Sequence, residues 1–322
     1  MTKKTTKKTT DKTDKTSTME DVLAQNFAQD PSLDLTIAWA EIAPIYNKVL
    51  ASVARNVKQD GFRPGKVPTK VAQDLVDQNY IAQETLREIA PKIFQAELKK
   101  HPELKVFIEP ELVIKKAEAE KDWLLVAYLP QKPEIKLPDY KKVLSEEKKK
   151  VLLQIKKDQA KIAEDAKKEK RAYTIPTEEQ LQAQATDRSL FSLLEQIQPK
   201  ISSIMVRRSA QREFERLVEQ LQKNNIKVDD YLKNTGMTIE SIGQQLSYSA
   251  LQNLQLEFIL DALLEAEKIT ATDEEILEKV KEMLPEVKEA DQQKRQLDEP
   301  SVREYMTLLT KRKKLADWLL TL

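Results

Sequence analysis

Glycine is nearly absent from this chain: four occur in 322 residues, Gly61, Gly65, Gly236 and Gly243. Tight strand connections depend on residues that tolerate positive φ, so so little glycine leaves room for few of them. The chain should therefore be mostly helical. Hydrophobic residues at 40% can fill packed cores, and charged residues at 33% give a very polar exterior. The length suits two domains of ordinary size.

Periodicity shows where strands survive. In Leu33-Asp34-Leu35-Thr36-Ile37-Ala38-Trp39 apolar and polar residues alternate, which predicts a half-buried strand. Ile42, Ile45, Val49, Val53 and Val57 then recur at helical steps, with Pro44 read as part of a first turn that needs no N–H from it. A second helix is predicted over about residues 78–100, with Leu86, Ile89, Ile93 and Leu98 apolar and a kink or break at Pro91. Lys105-Val106-Phe107-Ile108, Glu111-Leu112-Val113-Ile114 and Trp123-Leu124-Leu125-Val126-Ala127-Tyr128 read as short strands before Pro130, Pro133 and Pro138. Strands at both ends with two helices between them predict an α+β domain over residues 19–139, built on a small antiparallel sheet.

The composition changes at residue 140. Residues 141–171 contain neither Gly nor Pro, and Val143, Val151, Leu152 and Ile155 give only a thin apolar stripe. Residues 140–176 are accordingly read as a mostly exposed helical linker between two domains. Residues 177–322 read as an elongated all-α domain. A long helix should stop at Asn224-Asn225, and a short one at Gly236. Thr238 can cap the next helix, Thr272-Asp273-Glu274-Glu275 forms a capping box, and a last helix starts near Ser301.

Several functions are excluded by what is missing. There is no Cys, and His101 is the one His, so disulfides, thiol nucleophiles and the usual zinc sets are out. No cofactor, metal or catalytic residue is assigned, and the chain is not read as an enzyme. Neighbouring carboxylates such as Glu274 and Glu275 suit a helix start better than acid–base work. No apolar run approaches the roughly 20 residues that span a bilayer, so no membrane partner is expected. Together with the missing Cys, this fits a cytoplasmic setting. Lys+Arg (54) nearly cancel Asp+Glu (53), so any RNA contact needs a local patch. Residues 1–18 carry six Lys against two Asp and read as a disordered basic tail capable of weak RNA contact.

The most specific motif is Gly61-Phe62-Arg63-Pro64-Gly65-Lys66-Val67-Pro68, between the two helices of the α+β domain. It reads as a tight loop that presents Phe62, Arg63 and Lys66, an aromatic anchor beside two cations. It is not a phosphate loop: three residues separate its glycines, and Val67 follows the Lys. The motif resembles the signature loop of the trigger factor family of bacterial chaperones. Leu35-Thr36-Ile37, residues 53–60 and Pro133-Glu134-Ile135-Lys136-Leu137 extend the likeness to that family's ribosome-binding domain. Asp230-Tyr231-Leu232-Lys233-Asn234-Thr235-Gly236-Met237-Thr238 and Ile269-Thr270-Ala271-Thr272-Asp273-Glu274-Glu275-Ile276 resemble pieces of its helical C-terminal domain.

The resemblance implies that Phe62, Arg63 and Lys66, shaped by Gly61 and Gly65, dock on the large ribosomal subunit near the peptide exit tunnel. Pro64 stands where many members have a basic residue. The family usually inserts a peptidyl-prolyl isomerase domain, but here Pro138 runs into the Lys/Glu-rich helix, so isomerase activity is not expected. The function implied is a ribosome-associated chaperone that binds nascent or unfolded polypeptides. Met205, Phe214, Met237, Leu246 and Phe258 are candidate client contacts, at spacings that equally suit a core. The alternative is a ribosome-independent holdase or a partner-specific assembly protein that needs only residues 177–322.

Overall fold

The computed structural model describes residues 19–55, 67, 71, 75–100, 107–172, 174, 176–283 and 297–322. The motif residues Gly61–Lys66, the tail 1–18, His101 and the strand-like Lys105-Val106 lie outside them. The chain forms two compact units. One comprises Ala28–Lys132 with Ser202–Met205; the other runs up to Phe27 and takes in Pro133–Ile201 and Val206–Leu322.

The first unit is the α+β one. Strand β2 (Ser32–Ile37) follows a short β1 (Phe27–Ala28), and β3 (Glu111–Lys116) and β4 (Trp123–Tyr128) complete a three-stranded sheet in the order β2-β4-β3. Both pairings are antiparallel, with Leu35 opposite Leu125 and Val113 opposite Val126. Phe107 and Ile108 form a bend instead of continuing a strand. Alternation puts Leu35, Ile37, Trp123, Leu125 and Ala127 on one face. Helices α2 (Trp39–Ala54) and α3 (Gln78–Lys100) cover that face with Ile42, Tyr46 and Leu50, and with Ile81, Leu86, Ile89 and Ile93.

Two prolines behave differently from the sequence expectation. Helix α2 begins at Trp39, so Pro44 lies in its second turn and removes one backbone hydrogen bond there. Ala38 offers no side-chain cap, and the Asp122 carboxylate accepts from the Trp39 N–H at 2.8 Å instead. Pro91 does not split α3, which runs as one helix from Gln78 to Lys100. Its buried line, Ile81, Leu86, Ile89 and Ile93, carries on past the proline, and burial of that line outweighs the lost bond.

The second unit is helical. Helix α4 (Tyr140–Lys168) is followed by α5 (Glu178–Ile197). Leu144 packs with Leu190, Leu193 and Leu194, and Ile155 with Leu181 and Ala185. This reversed order makes the pair an antiparallel hairpin. The reading of residues 140–176 as an exposed linker is thereby revised: α4 is one leg of a packed hairpin and belongs to the helical unit. After the two-residue β5 (Ile201–Ser202), which pairs with β1, come α6 (Ser203–Lys223), α7 (Val228–Thr235), α8 (Ile239–Ala266), α9 (Asp273–Met283) and α10 (Pro300–Thr321). Ile259, Leu263 and Leu264 of α8 and Leu315 and Leu319 of α10 close the core over the hairpin. Helix α1 (Met19–Gln25) packs on α8 and belongs to this unit rather than to the sheet.

The predicted caps are in place. Gly236 ends α7 at φ 67°, in the left-handed region. Thr238 and Ser241 make a reciprocal box at the start of α8, as Thr272 and Glu275 do for α9. At the other end of α10, Lys148 is buried, and its Nζ donates to the carbonyl oxygens of Leu319 at 3.1 Å and Leu320 at 2.8 Å. A lysine from α4 thus caps the C-terminal carbonyls of α10, whose own last turn has no basic residue.

Candidate functional site

The segment between α2 and α3 carries the Gly61–Pro68 motif. Its tip lies outside the described residues, but its base does not. Ala54, at the end of α2, and Val67, just past the motif, are both buried and pack together with Val71. This contact joins residues on either side of the motif. The supporting helices are tied by Tyr46 Oη, which donates to Gln78 Oε1 at 3.0 Å, and by a Lys48–Glu88 ion pair. Tyr46 sits edge-on to Trp39 and Trp123, with ring centroids 5.2 and 6.3 Å away. The helices that flank the motif are therefore anchored in the core.

A groove of about 450 Å³ runs between α2 and α3, lined by Lys48, Val49, Val53, Tyr80, Glu84 and Arg87 among others. Sequence reading did not single it out. Its apolar floor comes from Val49 and Val53, which had been placed on the core-facing side of α2. Its charges largely cancel, since Lys48 pairs with Glu88 and Arg87 with Glu84. Among the described residues, no group of three or more metal-ligating side chains occurs, and no helix is long and apolar enough to cross a membrane.

The five candidate client residues divide into two groups. Met205 and Phe258 are buried, at 6% and 3% exposure. Met205 follows the Ser202 cap of α6, whose Oγ accepts from the N–H groups of Ile204 and Met205 and donates to Asp30 Oδ2 at 2.7 Å. Phe214, Met237 and Leu246 are half-buried. Around them Leu217, Val218, Tyr231 and Leu232 are also half-buried, while Ile226 and Ile239 are exposed. Helix α7 has apolar positions but no buried residue. The region α6–α7 with the start of α8 therefore offers separated apolar side chains among charges, with no chemistry attached.

The joint at the start of α4 is polar and well connected. Tyr140 Oη donates to Glu267 Oε1 at 2.5 Å, and Lys141 Nζ lies 2.8 Å from the same oxygen. That hydrogen bond, with burial and the carboxylate's charge, pushes the Tyr140 hydroxyl up to about 12. Lys141 and Tyr140 hold the Glu267 carboxyl below the usual range. Lys141 also lies over the Trp318 ring, 5.7 Å from its centroid.

Comparison with known proteins identifies the family. The model for "Bacterial trigger factor protein (TF)" matches residues 21–169, and that for "Bacterial trigger factor protein (TF) C-terminus" matches residues 154–321, more than half of the chain. The chain belongs to the bacterial trigger factor family. The two trigger factor matches overlap over residues 154–169, which leaves no residues between them for an inserted isomerase domain. Helix α4 runs unbroken through that junction.

The curated trigger factors of Streptococcus pneumoniae strain JJA and strain 70585 are each 29% identical over 109 residues, 34% of this chain and 25% of theirs. The match thus spans about a quarter of the length of these relatives. A solved structure described as "Promiscuous Substrate Recognition in Folding and Assembly Activities of the Trigger Factor Chaperone" is 14% identical, with a TM-score of 0.43 over 92% of this chain and 98% of that one.

Proposed function

We propose that this trigger factor relative is a ribosome-associated chaperone of the cytoplasm, which binds nascent or unfolded polypeptides without isomerase chemistry. The observation that carries the reading is the Gly61–Pro68 motif, set between α2 and α3 in a chain that matches both trigger factor models. Phe62, Arg63 and Lys66 supply an aromatic anchor and two cations for a surface of RNA and protein near the exit tunnel of the large subunit. The Ala54–Val67–Val71 contact supports this role, because fixing residues on either side of a docking segment leaves less entropy to lose on binding. Client contact falls to Phe214, Met237 and Leu246, the half-buried members of the candidate set. Several weak apolar contacts linked on one chain give useful avidity and still release readily.

Cosedimentation with vacant bacterial ribosomes across a salt series tests the docking step. The parent should bind less as salt rises, and the Phe62/Arg63/Lys66 triple-Ala variant should stay in the supernatant while remaining folded. A triple variant that pellets like the parent removes the loop from the docking role. A second reading is a ribosome-independent holdase or partner-specific assembly protein. The exposed Ile226 and Ile239 beside half-buried Met237 favour it, since they need no loop. It expects a loop-disabled full chain to suppress aggregation of an unfolded client as well as the parent does.

A further inference from the structure

Helix α4 buries one line of side chains, Leu144, Ile155 and Ala166 among them. On the opposite face stand Lys142, Lys149, Lys157, Lys161 and Lys167, all exposed. At 3.6 residues per turn these five fall within about 120° of arc and extend along about 38 Å of helix. None has a carboxylate partner among the described residues. Other lysines of the helix do: Lys150 pairs with Glu147, Lys156 with Glu178, and Lys168 with Glu164. The face carries two carboxylates, Glu146 and Glu164, and Lys168 already holds the second.

A line of like charges has a cost. Lys157 and Lys161 stand four residues apart, where like charges destabilise a helix. A partner that supplies anions continuously along the line removes that cost. We infer that the outer face of α4 is a strip that binds the phosphodiester backbone of an RNA duplex. Three features point to this partner. The charges are lysines, flexible point charges suited to phosphates in no fixed orientation, whereas paired planar recognition would call for arginine. The strip is longer than a single acidic side-chain cluster, and a nucleic-acid duplex offers anions without a break over such a length. It also has no aromatic side chain for base stacking, so it suits contact with the backbone alone.

The choice of RNA rests on the ribosome reading above, but the strip lies in the helical unit and the docking loop in the α+β unit, so the two are separable by mutation. The probe is a fluorescein-labelled RNA duplex of about 20 base pairs, titrated with the full chain from about 50 to about 200 mM KCl and followed by anisotropy. The parent should bind at the low-salt end, with log K falling against log salt at a slope of about −4.5 if all five lysines neutralise phosphates. The variant Lys142→Gln, Lys149→Gln, Lys157→Gln, Lys161→Gln, Lys167→Gln should bind at least tenfold more weakly with a flatter slope. It should keep its helix, because Lys and Gln have similar helix propensity.

No binding by the parent at about 50 mM salt, or unchanged binding by the Gln variant, overturns the strip. Displacement of the RNA by polyglutamate at equal charge and with equal potency overturns the choice of RNA over acidic protein. The Phe62/Arg63/Lys66 variant should hold the duplex as the parent does. If that variant loses the duplex and the Gln variant does not, the site belongs to the loop. A parent that binds the duplex but not ribosomes refutes the docking reading and leaves the strip standing.

Discussion

Replacing Lys148 with Met isolates the cap that α4 supplies to α10. Met has nearly the same length and keeps most of the packing, but it removes the ammonium and both of its hydrogen bonds. The carbonyls of Leu319 and Leu320 are then left to water, at a helix end where Leu319 is buried. A hydrogen bond to a charged group contributes about 1.5–3 kcal/mol, and leaving a buried acceptor unpaired costs about 1–3 kcal/mol. Against this stands the desolvation of the ammonium, which lowers the Lys148 pKa and is relieved in the variant. The net expectation is a loss of about 1–2 kcal/mol for Lys148→Met, and of about 3 kcal/mol for Lys148→Ala, which also forfeits the packed stem. Urea unfolding gives the global number. Hydrogen exchange gives the local one: amides in the last two turns of α10 should lose protection before those of α8. If Lys148→Met unfolds at the parent's midpoint and α10 exchanges as before, the lysine is present for its stem alone and the capping argument fails.

Other consequences are equally direct. Tyr140, raised to about 12 from 10.0, contributes stability that is present below pH 10 and lost as pH rises toward 12. Tyr140→Phe should therefore be less stable by about 1 kcal/mol at pH 9, with the gap closing by pH 12; a gap that stays constant in alkaline urea titrations refutes the assignment. Gly236→Ala should cost about 1 kcal/mol through strain alone, because φ is 67° and a Cβ there meets nothing within 4 Å. Gly236→Asn should cost less, and equal thermal stability of all three proteins would contradict this. Val67→Ser should loosen the contact beside the motif and weaken ribosome cosedimentation while leaving the unfolding of the α+β core nearly unchanged, since Val67 packs with Ala54 and Val71 outside the main cluster. Parent-like cosedimentation would show that this contact is not needed.

What could be read from the sequence was local. The Gly236 stop, the Thr238 cap and the Thr272–Glu275 box depend on residues within four positions of each other, and all three form. Alternation likewise identified β2, because one buried face imposes a period of two, while β-branched and aromatic content identified β4. Helix α4 was harder. Its stripe looked too thin to bury, because its partners sit on α5, α8 and α10, and no local pattern announces them. Lys148 looked like one more exposed charge in a charged run, although its acceptors lie 171 and 172 residues away. The Gly61–Pro68 motif stood out through its resemblance, while the contact of Ala54 with Val67 on either side of it needed coordinates. Met205 and Phe258 show the limit from the other side, since apolar spacing alone does not separate a client contact from a core residue.

The helical core also sets an order of events during synthesis. Leu144 of α4 meets Leu190 and Leu193 of α5 soon after both are made, but Leu315 and Leu319 of α10 complete the same cluster much later. At about 5–20 residues per second, the hairpin waits on the order of ten seconds for its last layer. Until then the apolar seam it keeps for α10 stands open. A chain proposed to shelter unfinished polypeptides thus spends the last part of its own synthesis as one, with the α10 layer closing last.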